Sequence, residues 1–223
     1  MPIAAIIAAA TLIQQPSIEF RTQFETEKDK FNLKFEYPRF MGKSKLEEFA
    51  NTTILKKLGT AEEEFLGAVQ GFDEIPTTPW EIDITGIVSL KSPTLISVLL
   101  EHYEFTGGAH PNGFTHSINV ALINNKPQSI TLKHIVAPGK STSAIIDGLV
   151  KPKLNEQKMA RVNEPLSEFP ADAESKFIVS KNGLTFLFDK YSVGPYVEGE
   201  YIVKLNWNEL KGLINTKIVP QAK

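Results

Sequence analysis

The chain contains no cysteine in its 223 residues. Disulfides, thiol nucleophiles and thiolate metal ligands are therefore excluded, while the compartment stays open, because many envelope proteins also lack cysteine. A basic block is missing too. The 24 Lys and Arg are balanced by 26 Asp and Glu, for a net charge of -2, so no nucleic-acid partner is expected. There is no His-Glu-x-x-His signature and no Gly-x-Ser-x-Gly elbow. Accordingly no catalytic residue, no metal ligand and no cofactor is assigned. Internal repeats and low-complexity segments are also absent.

What is present is ordinary for a globular protein: 42% hydrophobic and 22% charged residues. A chain of this length buries roughly 70% of its unfolded surface and needs no metal or disulfide staple. Ile3 to Ile13 is almost wholly apolar. That stretch is too short for a membrane span of roughly 20 residues and matches the core of a signal peptide, with Ala8-Ala9-Ala10 resembling a cleavage site. No Lys or Arg precedes it. The two readings of residues 1–16 are an export signal and an ordered apolar tail that buries itself against its own domain or a second copy.

Alternating apolar positions at Ile18, Phe20, Thr22 and Phe24, then at Phe31, Leu33, Phe35 and Tyr37, predict a hairpin with one buried face. Glu27 to Lys30 makes its turn and Pro38 stops it. Ser44 and Glu47 form a capping box that opens a helix. Leu46, Ala50, Ile54 and Leu58 carry the inward stripe, which continues through Ala61, Phe65 and Val69, with Gly59 a possible kink. Glu62-Glu63-Glu64 is a solvated face of that helix. Strands follow at Trp80–Leu90, at Leu95–Phe105, apolar on both parities, and at Phe114–Leu122. Ser141–Val150 predicts a short helix ending near Pro152, and residues 151–175 a long connection or irregular helix. Asn182-Gly183 between apolar alternations marks a hairpin. A strand at Tyr201–Leu205 and a short final helix capped by Asn206 and Glu209 end the series. Runs of strands with interposed helices give an α+β class of two small antiparallel-sheet-plus-helix modules packed together. The modules are expected at 17–112 and 113–223, after the apolar segment 1–16.

Two segments stand out for function. Tyr103-Glu-Phe-Thr-Gly-Gly-Ala-His110 places adjacent glycines between strands, where the backbone needs positive φ or a close approach. Asp189–Gly199, with Tyr191, Pro195 and Tyr196, presents tyrosines on a braced loop, rigid amphipathic area suited to carbohydrate or protein contact. The alternative is that these aromatics simply cover the end of a sheet. His110 is read first as a residue that bonds the glycine turn, with ligand contact second. His116 shares a face with Phe114 and Ile118 and is read as a hydrogen-bonded core histidine. Glu81 and Asp83 sit on one strand face among polar neighbours and suit solvent exposure.

Tyr37-Pro38-Arg39-Phe40 followed by a helix with Asn51, the Tyr103–His110 segment, Gly183–Phe188, Tyr191-Ser-Val-Gly-Pro-Tyr196 with Gly199, and Leu205–Leu210 together resemble a bacterial envelope family. That family has two consecutive modules of unknown function, and the likeness covers roughly residues 17–215. The pair occurs in the extracytoplasmic part of the RsiV-like, lysozyme-sensing anti-sigma factor. The first module also precedes the catalytic domain of a peptidoglycan deacetylase of the PdaC type. Asn206 stands where the family usually has proline. No sigma-binding segment and no polysaccharide-deacetylase domain is seen in this sequence, so neither of those roles is expected. The resemblance implies an extracytoplasmic module, secreted or envelope-anchored, that binds or senses a peptidoglycan-type glycan or a lysozyme-like protein without catalysis. Its candidate ligand-binding residues are Tyr103, Gly107, Gly108, His110, Tyr191, Pro195 and Tyr196. A metal-dependent envelope hydrolase or deacetylase using His110 is the alternative. A structural homo-oligomer assembled through residues 1–16 is the second.

Overall fold

The computed structural model describes residues 17–72 and 76–222, so the apolar segment 1–16 lies outside the described residues. A six-stranded sheet runs in chain order from β1 (Ile18–Glu27) and β2 (Phe31–Phe40) through β3 (Trp80–Lys91) and β4 (Leu95–Phe105) to β5 (Asn112–Ile123) and β6 (Lys126–Ser129). Helix α1 (Lys45–Gln70) lies on one face. Neighbouring strands are antiparallel except β2 and β3, which are parallel because α1 carries the chain back across the sheet between them. A second sheet, β7 (Phe177–Val179), β8 (Gly183–Phe188) and β9 (Tyr201–Asn206), is antiparallel throughout. The class is α+β, as expected, with the parallel pair its one departure from purely antiparallel sheets.

Local chemistry accounts for α1. Ser44 Oγ accepts from the Glu47 N–H (3.2 Å) and donates to Glu47 Oε2 (2.7 Å), the expected cap. Leu46, Ala50, Ile54, Leu58, Ala61 and Phe65 then bury one stripe against Phe31, Leu33, Phe35, Ile82 and Ile84. Gly59 does not interrupt the helix, which ends at Gly71. Asn51 grips the end of β2 by hydrogen bonds to both the N–H and the C=O of Phe40, each 2.9 Å.

Two expectations for the first hairpin fail. Its three-residue turn pairs Glu27 with Phe31, so even positions of β1 lie opposite even positions of β2. Phe20 and Phe24 therefore sit opposite Pro38 and Lys34 and are 51% and 63% exposed, while Gln23 faces α1 and bonds Glu62. Pro38 does not stop β2 either, because β3 leaves the ladder after the Glu36–Thr85 pair and no N–H is required there. Gly86 passes that proline closely. A Cβ at Gly86 would lie 2.6 Å from Pro38 Cδ.

In the second half, α2 (Leu132–Ile135) is a single turn. The chain then coils through α3 (Ser143–Ile145) and a π-helical turn (Ile146–Val150) into α4 (Lys151–Val162). Pro152 does not end this helix as expected. The wide turn, in which the Lys151 N–H reaches back to the Ile146 carbonyl, delivers Pro152 to the first turn of α4, where no donor is needed. The expected final helix is also absent. Asn206 and Glu209 do exchange capping hydrogen bonds, but the chain continues as turns through Gly212, whose φ is +74°.

β4 serves both halves. Ile96, Val98 and Leu100 point into the core beneath α1, whereas Leu95 points into the core formed with β7, β8 and β9. Both of its faces are covered, as its continuous apolar run indicated. Between the sheets, Ser97 Oγ donates to Asn119 Oδ1 (2.7 Å) and accepts from the Val179 N–H (3.0 Å). Asn119 Nδ2 donates to the Phe177 carbonyl (2.6 Å), and Ser89 Oγ to that of Val179 (2.8 Å). Side chains from β3, β4 and β5 thus satisfy backbone groups of β7. The division drawn between 112 and 113 falls just inside β5, after its first residue, Asn112, in a strand of the six-stranded sheet.

Candidate functional site

The end of β4 carries Tyr103, 40% exposed on the sheet face away from α1 and opposite Gly113 of β5. Gly107 and Gly108 then adopt φ of +89° and +94°, which fits glycine at both positions. This turn presents His110 at the surface.

The second segment is the connection between β8 and β9. Asp189 anchors its start on β5, where its Oδ1 accepts from the N–H of Thr115 (3.0 Å) and from Thr115 Oγ1 (2.8 Å). Lys176 Nζ binds both Asp189 and the Thr115 carbonyl. At the other end, a short 3-10 turn over Tyr196–Glu198 is held from α4. Lys158 Nζ meets both carboxylate oxygens of Glu198 at 3.0 and 2.8 Å, and Tyr201 Oη donates to the same carboxylate at 2.6 Å. The Lys158 ammonium, followed by the Tyr201 hydroxyl, lowers the Glu198 pKa below the usual carboxylate value. Burial, then the adjacent Glu198, raises that of Tyr201. Arg161 stacks 4.0 Å over the Tyr201 ring and donates to the carbonyls of Glu198 and Glu200. The carboxylate of Glu198 fills the space beside Gly194, where a Cβ would come within 2.3 Å of Oε1.

These two supports bring distant residues together. The ring of His110 stacks on Tyr196 with centroids 3.9 Å apart and planes 20° apart. Tyr191 lies 5.6 Å from Tyr196, and its hydroxyl is 3.5 Å from His110 Nε2. His110 Nδ1–H faces the Pro111 carbonyl (3.2 Å), which also accepts from Tyr196 Oη (3.2 Å). Lys190 Nζ sits over the Tyr196 ring at 4.6 Å and donates to its hydroxyl at 3.3 Å. Tyr191 is 61% exposed. The outcome is a histidine and two tyrosines in one surface cluster, drawn from segments 81 residues apart.

Beside this cluster lies an open groove of about 410 Å³, lined by Tyr103, Asp83, Glu101, Lys190, Glu200 and their neighbours. Lys190 belongs to both features. Of the residues singled out from sequence, His110, Tyr191 and Tyr196 converge, and Tyr103 lines the adjoining groove. Gly107 and Gly108 shape the turn. Pro195 precedes the 3-10 turn and is exposed. Lys190, Glu101, Glu200 and the bracing pair Lys158–Glu198 escaped the sequence reading. A buried lysine and a buried glutamate 40 residues apart leave no local pattern. Asp83 lines the groove and pairs with Lys34 at 3.3 Å.

The remaining histidines are separate from His110. His102 Nε2 lies 3.1 Å from Glu104, and its Nδ1 lies 3.2 Å from His116 Nε2. Burial, with the Lys57 charge second, pushes the His116 pKa down to about 3, so its ring is neutral at neutral pH. His134 Nδ1 accepts from the Thr131 N–H at 3.0 Å and caps α2. Among the described residues no group of three His, Asp or Glu side chains is disposed to hold a metal, and no helix is long and apolar enough to cross a membrane.

Residues 24–113 match the family described as Deacetylase PdaC, and residues 133–208 match a protein of unknown function, DUF3298. No curated protein matches the chain. Among solved structures, a DUF3298 family protein from Pseudomonas aeruginosa PAO1 superimposes with a TM-score of 0.64 at 16% identity, over 90% of this chain and 95% of that one. A DUF3298 family member from Bacteroides fragilis NCTC 9343 gives a TM-score of 0.56 at 18% identity, over 92% and 96%. At such identities the likeness is one of fold. The two family matches stand in tandem, in the order of the resemblance read from Tyr37–Phe40, Tyr103–His110 and Tyr191–Tyr196, so the chain carries a PdaC module followed by a DUF3298 module of unknown function.

Proposed function

We propose that this protein is a non-catalytic binding or sensing module of the cell envelope, directed at a cell-wall glycan or a wall-directed protein such as lysozyme. The observation that carries this reading is the assembly of His110, Tyr191 and Tyr196 beside the groove of Tyr103. The exposed rings of His110 and Tyr191, backed by the half-buried Tyr196, offer the apolar faces of a sugar, or a protein side chain, rigid contact area at little entropic cost. The acidic side chains Asp83, Glu101 and Glu200, with Lys190, supply hydrogen-bonding groups for hydroxyls or for a basic partner. Every support described for the loop fixes ring position, which is what preorganised recognition needs. The PdaC match is consistent with an envelope setting.

The test is binding of soluble peptidoglycan fragments and of lysozyme, by calorimetry, to the wild type and to Tyr191→Ala and Tyr196→Ala. Aromatic anchors at the centre of a contact are worth about 2 kcal/mol or more, so each change weakens binding by about 30-fold with the fold intact. A wild type that binds neither ligand, or variants that bind as tightly as the wild type, would defeat the reading.

A further inference from the structure

The free edge of β5 carries a second candidate site. β6 pairs with β5 only from Val120 to Ile123, and the Ile130 N–H bonds the Asn119 carbonyl. The stretch of β5 before Asn119 therefore has an open edge. Thr115 and Asn119 turn their backbone groups to that side, where Asp189, Lys176 and Ile130 meet them. By the alternation of an antiparallel strand, the N–H and C=O of Ser117 point the same way.

At Thr115 this edge already holds a carboxylate. Asp189 takes the backbone N–H and the hydroxyl of Thr115, and Lys176 supplies the positive charge. Two residues on, the Ser117 N–H lies on the same edge, and the Ser117 Oγ, closed off from solvent, has no hydrogen-bond partner. Ser117 lines a pocket of about 510 Å³ between α1, β5 and the second half of the chain, together with Lys56 and Lys57 of α1. Neither lysine pairs with a carboxylate among the described residues. Thr53, Thr60, Ser129 and Thr131 line the same walls, with the Thr53 and Thr60 hydroxyls donating to the Phe49 and Lys56 carbonyls of α1. The backbone edge that meets Asp189 at Thr115 thus continues at Ser117, beside two lysines and with no acidic side chain in the pocket lining.

We propose that this pocket binds an oxyanion, carboxylate or phosphate, carried on a hydroxyl-rich skeleton. The Ser117 N–H on the open edge donates, Lys57 and Lys56 neutralise the charge, and the surrounding threonine and serine oxygens meet hydroxyl groups. The site lies on β5 and α1, apart from the His110–Tyr191–Tyr196 cluster, and stands independently of what that cluster binds.

The experiment follows the Ser117 amide by 15N NMR on the full chain, in chloride buffer, during titration with inorganic phosphate, acetate, glucose 6-phosphate, glucuronate and glucose. A saturable shift at Ser117 with the anions and none with glucose is expected. The sugar-borne anions should bind more tightly than the bare ones. The stronger of the phosphate and carboxylate arms names the group recognised. Lys56→Met with Lys57→Met, both on the helix surface, should weaken binding by at least about tenfold, the effect of losing one charge-assisted contact. No saturable shift with any anion overturns the proposal. So does a response unchanged in the double variant, or glucose binding as well as its 6-phosphate.

Discussion

At the scale of single residues, His116 makes stability depend on pH. The folded ring resists protonation down to about pH 3, whereas in the unfolded chain it takes a proton near 6.5. The unfolded state therefore binds the extra proton between those values. Stability is complete above about pH 6.5 and is lost progressively as pH falls toward 3. Lys57, His102 and Lys176 face the ring and oppose its charging, while Asp189 favours it. Since the ring is partly exposed, screening holds the loss to about 1 kcal/mol or less per pH unit. Thermal melts at pH 7 and pH 5 should show the wild type losing more stability than His116→Gln; parallel losses would contradict this account. Gly194 offers a second residue-level check. Because the Glu198 carboxylate occupies the position of its missing Cβ and is pinned by Lys158 and Tyr201, Gly194→Ala must displace the loop. The global fold should survive, while the ring contacts of His110 with Tyr196 disappear from NOE spectra. Spectra that keep those contacts would show that the loop adapts at no cost.

At the scale of elements, the Lys158–Glu198 pair joins α4 to the loop of the tyrosines. Lys158→Met leaves Glu198 among buried groups without its cation, so melting temperature should fall and Tyr191 and Tyr196 should become more mobile. Hydrogen exchange localised to residues 189–199 is the readout, and protection equal to wild type would dismiss the brace. This is also the scale at which the sequence was most and least readable. The Ser44–Glu47 cap, the two-sided apolar run of β4 and the Asn182-Gly183 turn announce themselves, because each is set by neighbours along the chain. The exposure of Phe20 and Phe24 does not, since alternation marks a face without saying which one; the register imposed by a three-residue turn decides. Pro38 and Pro152 read as stops because their missing donors look costly. One lies where β3 has left the ladder and the other behind a π turn, places that tertiary geometry alone defines. The site was half legible. Its aromatic residues were visible as composition, but their meeting depends on Asp189, Lys176, Arg161 and Glu198, polar groups with partners up to 74 residues away.

At the scale of the molecule, the two halves are tied by apolar and polar links together. The buried Ser97–Asn119 pair reaches β7 from the first sheet, and Asp189 and Lys176 clamp Thr115 at the rim. Ser97→Ala strands the Val179 N–H and the Oδ1 of Asn119, which costs about 1–3 kcal/mol of stability by chemical denaturation. A change within a few tenths of a kcal/mol would mean that water replaces the hydroxyl. β4 is the deeper tie, because consecutive residues along it serve different interiors: Leu95 one, Ile96 the other. A strand cannot release one face and keep the other in place. Although two family names divide this chain, heat should find a single object, melting in one transition, because parting the halves would strip Leu95 of its cover while Ile96 kept its own.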